Sequence, residues 1–165
     1  MENQTEQYGG FWMRFLAYII DGVAINTIIW TVVFPILGVI GSQYNVYDQF
    51  RDLEYLSDEE AIALMFSFLP AFLTFNLLIN WMYSALLESS AWQATIGKKA
   101  INVIVVDANG ARLSFAKASL RYFGKILSGA IFNIGYIMAA FSPRKQALHD
   151  LIANTFVIYK PIQPI

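Results

Sequence analysis

Two long apolar stretches dominate the pattern along the chain. Between Phe15 and Ile40 the only charged residue is Asp21, and between Ala61 and Leu87 there is none. Each stretch exceeds the roughly 20 apolar residues that cross a hydrocarbon core about 30 Å thick. The pattern therefore predicts membrane-spanning helices over about 15–40 and about 61–87. Pro35 is expected to bend or end the helical part of the first, because proline has no N–H to donate. A third apolar stretch covers 120–141. As one helix it would be about 33 Å long, enough to cross. Its purely apolar part, Ile126 to Phe141, would be only about 24 Å long, and Asn133-Ile-Gly135 interrupts it. Two readings stand: a spanning helix, or a re-entrant or interfacial hairpin broken at Asn133–Gly135.

Between and after these stretches the period changes. Ile101-Asn-Val-Ile-Val-Val106 is rich in β-branched residues and is followed by Asp107-Ala-Asn-Gly110, a turn sequence whose glycine can take positive φ. A small cytoplasmic β-hairpin or sheet is expected over about 101–115, with Ala111 to Phe115 as the returning strand. Asn154-Thr-Phe-Val-Ile-Tyr159 is also strand-like, and 155–159 could join the same sheet. Ser114 is placed to cap a helix that begins at Phe115.

Composition agrees with a membrane solvent. Of 165 residues, 57% are hydrophobic and only 14% are charged, against about a quarter charged in ordinary soluble domains. This excludes a soluble enzyme and a disordered adaptor. A net charge of −1 leaves no polybasic surface for nucleic acid. Cysteine is absent, which excludes disulfides, thiolate metal sites and S-acylation. The first residues lack the positive region of a signal peptide, so the first span is expected to be retained. One domain is expected over 1–165.

Charge sets the expected topology. The loop 41–60 holds six of the twelve acids and one basic residue, Arg51. The segment from Glu88 to Lys125 instead carries Lys98, Lys99, Arg112, Lys117, Arg121 and Lys125 against Glu88 and Asp107. Positive segments stay on the cytoplasmic side. The N-terminus is expected inside, the acidic loop outside and the 88–125 segment inside. Arg144 and Lys145 favour the hairpin over a third crossing by the same rule. The result is an all-α multi-pass membrane protein with a small cytoplasmic sheet.

Polar groups within the spans are the candidate chemistry, because a charge at the bilayer centre costs at least about 2.5–3.5 kcal/mol. Arg14 and Asp21 are seven residues apart and share a helix face. Arg14 can snorkel to the headgroups. Asp21 lies deeper and is expected to face Arg14, another helix or a cation, either as a fixed ion pair or as a proton or cation site. Asn76, Asn80, Ser84 and Glu88 recur every four residues as one polar stripe. The stripe could coordinate a cation or bond across helices, and Asp21 facing Asn76 or Asn80 would form a pocket. Lys117, Arg121 and Lys125 form a basic line, expected to meet anionic headgroups in preference to pairing with Glu88 or Asp150. Gly124 and Ser128, four apart, permit a close helix contact. The Ile96-Gly-Lys-Lys99 segment is not a phosphate-binding loop, since Trp92 stands where the first glycine belongs. The lone His149 excludes a histidine metal cluster, although His149-Asp150 could pass protons. No catalytic residue, metal or cofactor is expected.

Four segments in order carry a resemblance: Gly10-Phe-Trp-Met-Arg14 with Asp21; Gln93-Ala-Thr-Ile-Gly-Lys98; Val105-Val-Asp-Ala-Asn-Gly110; and Phe141-Ser-Pro-Arg-Lys-Gln-Ala-Leu-His-Asp150 with Thr155. Together they resemble the RDD family of small membrane proteins, over nearly the whole chain apart from the acidic loop and the last residues. The family's one arginine and two aspartates map to Arg14, Asp21 and Asp150. Most members have no assigned activity. The resemblance implies a monovalent cation/proton antiporter, as described for some bacterial members, or an assembly partner, as for related eukaryotic domains. In the first case Asp21 would be the carrier, Arg14 would tune it, and a monovalent cation and a proton would be the partners, besides membrane lipids. Two spans and a hairpin are too few to enclose a path, so transport would require a homo-oligomer. In the second case Arg14, Asp21 and Asp150 would be structural. The expected location is the cell membrane (a bacterial inner membrane) with the N-terminus cytoplasmic.

Overall fold

The computed structural model describes residues 8–43 and 55–160. Both long apolar stretches are helices. The first comprises α1 (Phe11–Ile28), a π-helical turn (Ile29–Val33) and α2 (Phe34–Gln43), continuous over 33 residues. Pro35 thus neither ends the helix nor forces a break. Its ring would crowd the Thr31 carbonyl in a regular α-helix, and the wider π turn immediately before it takes up the misfit. In that turn the Phe34 N–H donates to the Ile29 carbonyl.

The second is α3, Asp58–Ser89, of 32 residues. Ser57 and Glu60 cap its start reciprocally: the Ser57 N–H donates to Glu60 Oε2 at 2.9 Å, and the Glu60 N–H to Ser57 Oγ at 3.4 Å. Asp58, Glu59 and Glu60 occupy the first turn, where the helix dipole favours anions. Pro70 sits inside α3, and Thr74 Oγ1 donates to its carbonyl at 2.8 Å. Both helices are long and apolar enough to cross a membrane. Residues 44–54 of the acidic loop lie outside the described residues.

The contacts divide the chain into two units, Val23–Ile79 and the remainder. In the first unit apolar side chains are exposed on all sides: Trp30, Phe66, Phe72 and Phe75 are each more than 60% exposed. A helix apolar all round is suited to lipid and not to water.

The other unit has an ordinary packed core. Strand β1 (Val103–Asp107) pairs antiparallel with β2 (Thr155–Tyr159), in the register Val103 to Tyr159 and Asp107 to Thr155. The buried positions of both strands pack with Ala85, Leu113 and Ala118. At the far side of β2 the Gly9 N–H donates to the Val157 carbonyl at 2.9 Å. The sheet expected over 101–115 is corrected here, because Ala111–Ser114 does not return as a strand. Asp107 Oδ1 accepts the N–H groups of Asn109 and Ala111 and folds the chain into a tight turn. Leu113 then enters the core and Ser114 caps the next helix at the Lys117 N–H. The partner of β1 is therefore the distant segment 155–159.

That helix is α5, Phe115–Ala130, followed by α6, Ile134–Phe141. They are bent by 102° at the break, so 120–141 is not one straight helix. The turn lies at 131–133, slightly before the expected position. Phe132 and Asn133 adopt φ of 53° and 62° there, the left-handed region that asparagine tolerates better than most residues. Gly135 falls inside α6, where a Cβ would stand 2.7 Å from the Ser128 Cβ. The last helix, α7 (Leu148–Ala153), packs on α5 and leads into β2.

Candidate functional site

Between Ser89 and β1 the chain makes a short helical turn, α4 (Ile96–Ala100), capped by Thr95. This turn is held tightly against α1. A Cβ at Gly97 would lie 2.0 Å from the Ala17 carbonyl oxygen, so only glycine permits the approach. The closeness brings the Gly97 N–H to Asp21 Oδ1 at 2.6 Å and the Thr95 hydroxyl to Oδ2 at 2.7 Å. The Tyr83 hydroxyl of α3 donates to Oδ1 at 2.6 Å and accepts from the Ile96 N–H at 3.2 Å. Among the described residues no basic side chain forms an ion pair with Asp21. Its negative charge is met by an amide and two hydroxyls.

A second group lies where α1, α3, α4, α5 and α7 converge. Arg121 is 1% exposed and bridges two carboxylates: its NH1 is 2.7 Å from Glu88 Oε2, and its Nε and NH2 are 2.9 and 2.8 Å from Asp150 Oδ1. Arg14 NH1 meets Asp150 Oδ2 at 2.6 Å, while its NH2 and Nε donate to the Lys145 and Gly9 carbonyls. Lys98 donates to Glu88 Oε1, and Lys125 reaches Ser84 Oγ at 2.9 Å and Glu88 Oε1 at 3.5 Å. Asp150 also accepts the Ala147 N–H at 3.0 Å, the reach-back of a capping box at the start of α7. In this group Arg14, Lys98, Arg121 and Lys125 surround only two carboxylates, Glu88 and Asp150. Every buried side-chain nitrogen and oxygen among the described residues has a partner.

Electrostatics follow from this geometry. Burial alone would raise the Asp150 carboxyl, but the charges of Arg121 and Arg14 outweigh it and hold the group well below the usual carboxylate range. Burial, then the neighbouring Arg121 charge, push the Lys98 ammonium down to about 7 against the pull of Glu88. Burial keeps His149 far below the ordinary histidine value. His149 Nε2 is 3.6 Å from Asp150 Oδ1, yet a neutral imidazole beside a firmly ionised carboxylate is poorly matched for proton transfer.

The structure thus separates residues that the sequence grouped. Arg14 and Asp150 are paired, whereas Asp21 stands apart with Tyr83, Thr95 and Gly97. The polar stripe also divides. Ser84 and Glu88 are buried in the charged group, while Asn76 and Asn80 are exposed and Asn76 donates to its own helix at Phe72. The part of α3 that meets Asp21 is Tyr83, which lies off that stripe. The expected headgroup line is corrected as well. Arg121 is sealed between Glu88 and Asp150, Lys125 turns to Ser84 and Glu88, and Lys117 pairs with Asp107 at 3.5 Å. An arginine between two carboxylates gains charge-assisted hydrogen bonds that a headgroup would offer only with solvent competition. The close contact expected at Gly124 and Ser128 is present: a Cβ at Gly124 would lie 3.1 Å from the His149 Cα. Thr95, Gly97 and Lys98 lie in the Gln93–Lys98 segment that carries the family resemblance, and Lys98 counts toward the basic segment, but their contacts with Asp21 and Glu88 are not legible from the sequence.

The family model described as RDD family matches residues 8–154. The uncharacterized protein YxaI of Bacillus subtilis (strain 168) is 40% identical over 157 residues, covering 94% of this chain and 99% of its own. The uncharacterized membrane protein YteJ of the same organism is 30% identical over 164 residues, covering 96% and 85%. No solved structure matches. With two apolar helices of spanning length and a family match over most of its residues, this integral membrane protein belongs to the RDD family.

Proposed function

We propose that the protein exchanges a monovalent cation for a proton across the cell membrane, with Asp21 as the ionisable carrier. The observation that carries this reading is the Asp21 carboxylate in a spanning helix, bonded to the Tyr83 and Thr95 hydroxyls and the Gly97 amide. Ionisable residues inside membrane helices mark ion or proton pathways by default. A hydroxyl both donates and accepts. The ionised carboxylate accepts three hydrogen bonds, and the protonated acid can donate to Thr95 once that hydroxyl turns. Carboxylate and hydroxyl oxygens are also the hard ligands that suit a small cation. Arg14 does not tune Asp21 in this scheme, since Asp150 holds it. With only two spans the exchanger would act as a homo-oligomer, N-terminus inside.

The test is exchange in inverted vesicles carrying the full chain. Wild type should dissipate an imposed pH gradient when Na⁺ or K⁺ is added, and Asp21→Asn should not. Equal rates in the two would end the carrier role.

A second reading, a membrane scaffold or assembly factor, draws on the buried Arg14–Asp150–Arg121–Glu88 network, which joins the start of the first span to α3, α5 and α7. It predicts no cation flux in wild type and loss of co-purifying membrane partners in Arg14→Gln.

A further inference from the structure

We infer that Lys98 is a second proton-exchange site, joined mechanically to Asp21 through the turn from Thr95 to Lys98. Two independent features of the geometry meet there. The first is a surplus of positive charge. Four cations, Arg14, Lys98, Arg121 and Lys125, share two carboxylates in a group whose acids are fully buried. Like charges held together out of water disfavour full protonation. Arginine does not release its proton under such conditions, and Lys125 keeps 24% of its side chain exposed. Lys98, at 10%, is the member that relieves the surplus most cheaply. It loses a proton to cytoplasmic water and leaves a neutral amine that still donates to Glu88.

The groups facing Lys98 come from several elements. Glu88 of α3 attracts it, Arg121 and Lys125 of α5 repel it, Asp150 lies behind Arg121, and Arg14 and His149 lie against Asp150. The low ammonium value given above agrees with this balance.

The second feature is the linkage. Thr95 Oγ1 accepts the Lys98 N–H at 3.4 Å and donates to Asp21 Oδ2, while the next-door Gly97 N–H holds Asp21 Oδ1. Two of the three groups that hold Asp21, and one of the three cations that hold Glu88, therefore belong to one four-residue turn. Loss of the Lys98 proton weakens its hold on Glu88 and loosens the turn whose amide and hydroxyl hold Asp21. The coupling to exchange rests on the reading of Asp21 as carrier, but the titration of Lys98 does not.

The test combines titration with flux on the full chain. Lysine side-chain NMR in nanodiscs, from pH 5 to 11, follows all six lysines. One resonance should titrate near pH 7, vanish in Lys98→Arg and persist in Lys125→Gln. Six lysines that all titrate above pH 10, or a shifted resonance that disappears in Lys125→Gln and not in Lys98→Arg, overturns the site. In inverted vesicles Lys98→Arg should lose the limb of the exchange–pH profile near 7, and an unchanged profile overturns the coupling. Wild-type vesicles without exchange would refute the transport reading while the NMR result still decides the Lys98 site.

Discussion

Arg14 at the start of the first span and Asp150 at the start of α7 form a 2.6 Å ion pair, and the same guanidinium also holds the Lys145 carbonyl. Both residues belong to the packed unit, and the pair ties its N-terminal part to its C-terminal part. Breaking a buried pair by removing one partner costs about 3–5 kcal/mol. Arg14→Gln and Asp150→Asn should each lower the midpoint of thermal unfolding in detergent strongly. Arg14→Lys should recover only part of the loss, because one ammonium cannot serve Asp150, Gly9 and Lys145 in a fixed fork. Fluorescence-detected size exclusion after heating measures all three.

The acid limb of stability should carry the signature of Asp150. Its folded-state value is depressed, so the unfolded chain binds more protons and stability falls as pH falls. The contribution is full above the unfolded value of about 3.9 and is lost progressively below it. Asp150→Asn should show a flatter dependence than wild type between pH 5 and pH 2, measured as unfolding midpoints in one detergent at constant salt.

Lys98 gives the opposite limb. Its folded value of about 7 lies below the ordinary lysine value of 10.5. Between these values the unfolded chain binds the extra proton, so stability rises with pH. Lys98→Met should remove that rise between pH 7 and pH 10 and leave the protein less pH-sensitive there, by the same melts.

Gly97→Ala should be more disruptive than its single methyl suggests. The added Cβ would sit 2.0 Å from the Ala17 carbonyl oxygen and 2.9 Å from Asp21 Cγ, and both are held by the helix they belong to. Overpacking of this kind costs about 1–3 kcal/mol or more. The turn must retreat, which takes the Gly97 N–H away from Asp21. Thr95→Val should lose both a cap and a hydrogen bond to the carboxylate, about 1–3 kcal/mol, while Thr95→Ser should stay close to wild type.

Topology can be read directly, because the chain has no native cysteine. Single cysteines at Ser42, Ala108 and Ser142 should label from the outside, the cytoplasm and the cytoplasm, respectively. Labelling of Ser142 from outside would convert the bent α5–α6 pair into a crossing.

What the chain alone determined is what depends on neighbours in sequence. The length of an apolar run fixes whether a helix can span, so spans over about 15–40 and 61–87 are legible at once, within the longer helices Phe11–Gln43 and Asp58–Ser89. So are the strand-like segments 101–106 and 154–159 and the Ser114 cap. Pro35 does not end the helix, because the π turn before it takes up the proline, and which turn forms depends on a local helix register that residue type does not specify. The returning strand at 111–115 was misread because Asp107, Leu113 and Ser114 each found a better partner outside a hairpin. Only the tertiary structure decided how the charges are shared. Arg14, Asp21 and Asp150 could be nominated singly, but whether Arg14 meets Asp21 or Asp150 depends on how closely α4 and α7 dock, and a single glycine at 97 sets the first of those distances. Hydrophobic length is a one-dimensional property. Ion pairing is a competition among all the groups that folding brings within a few ångströms.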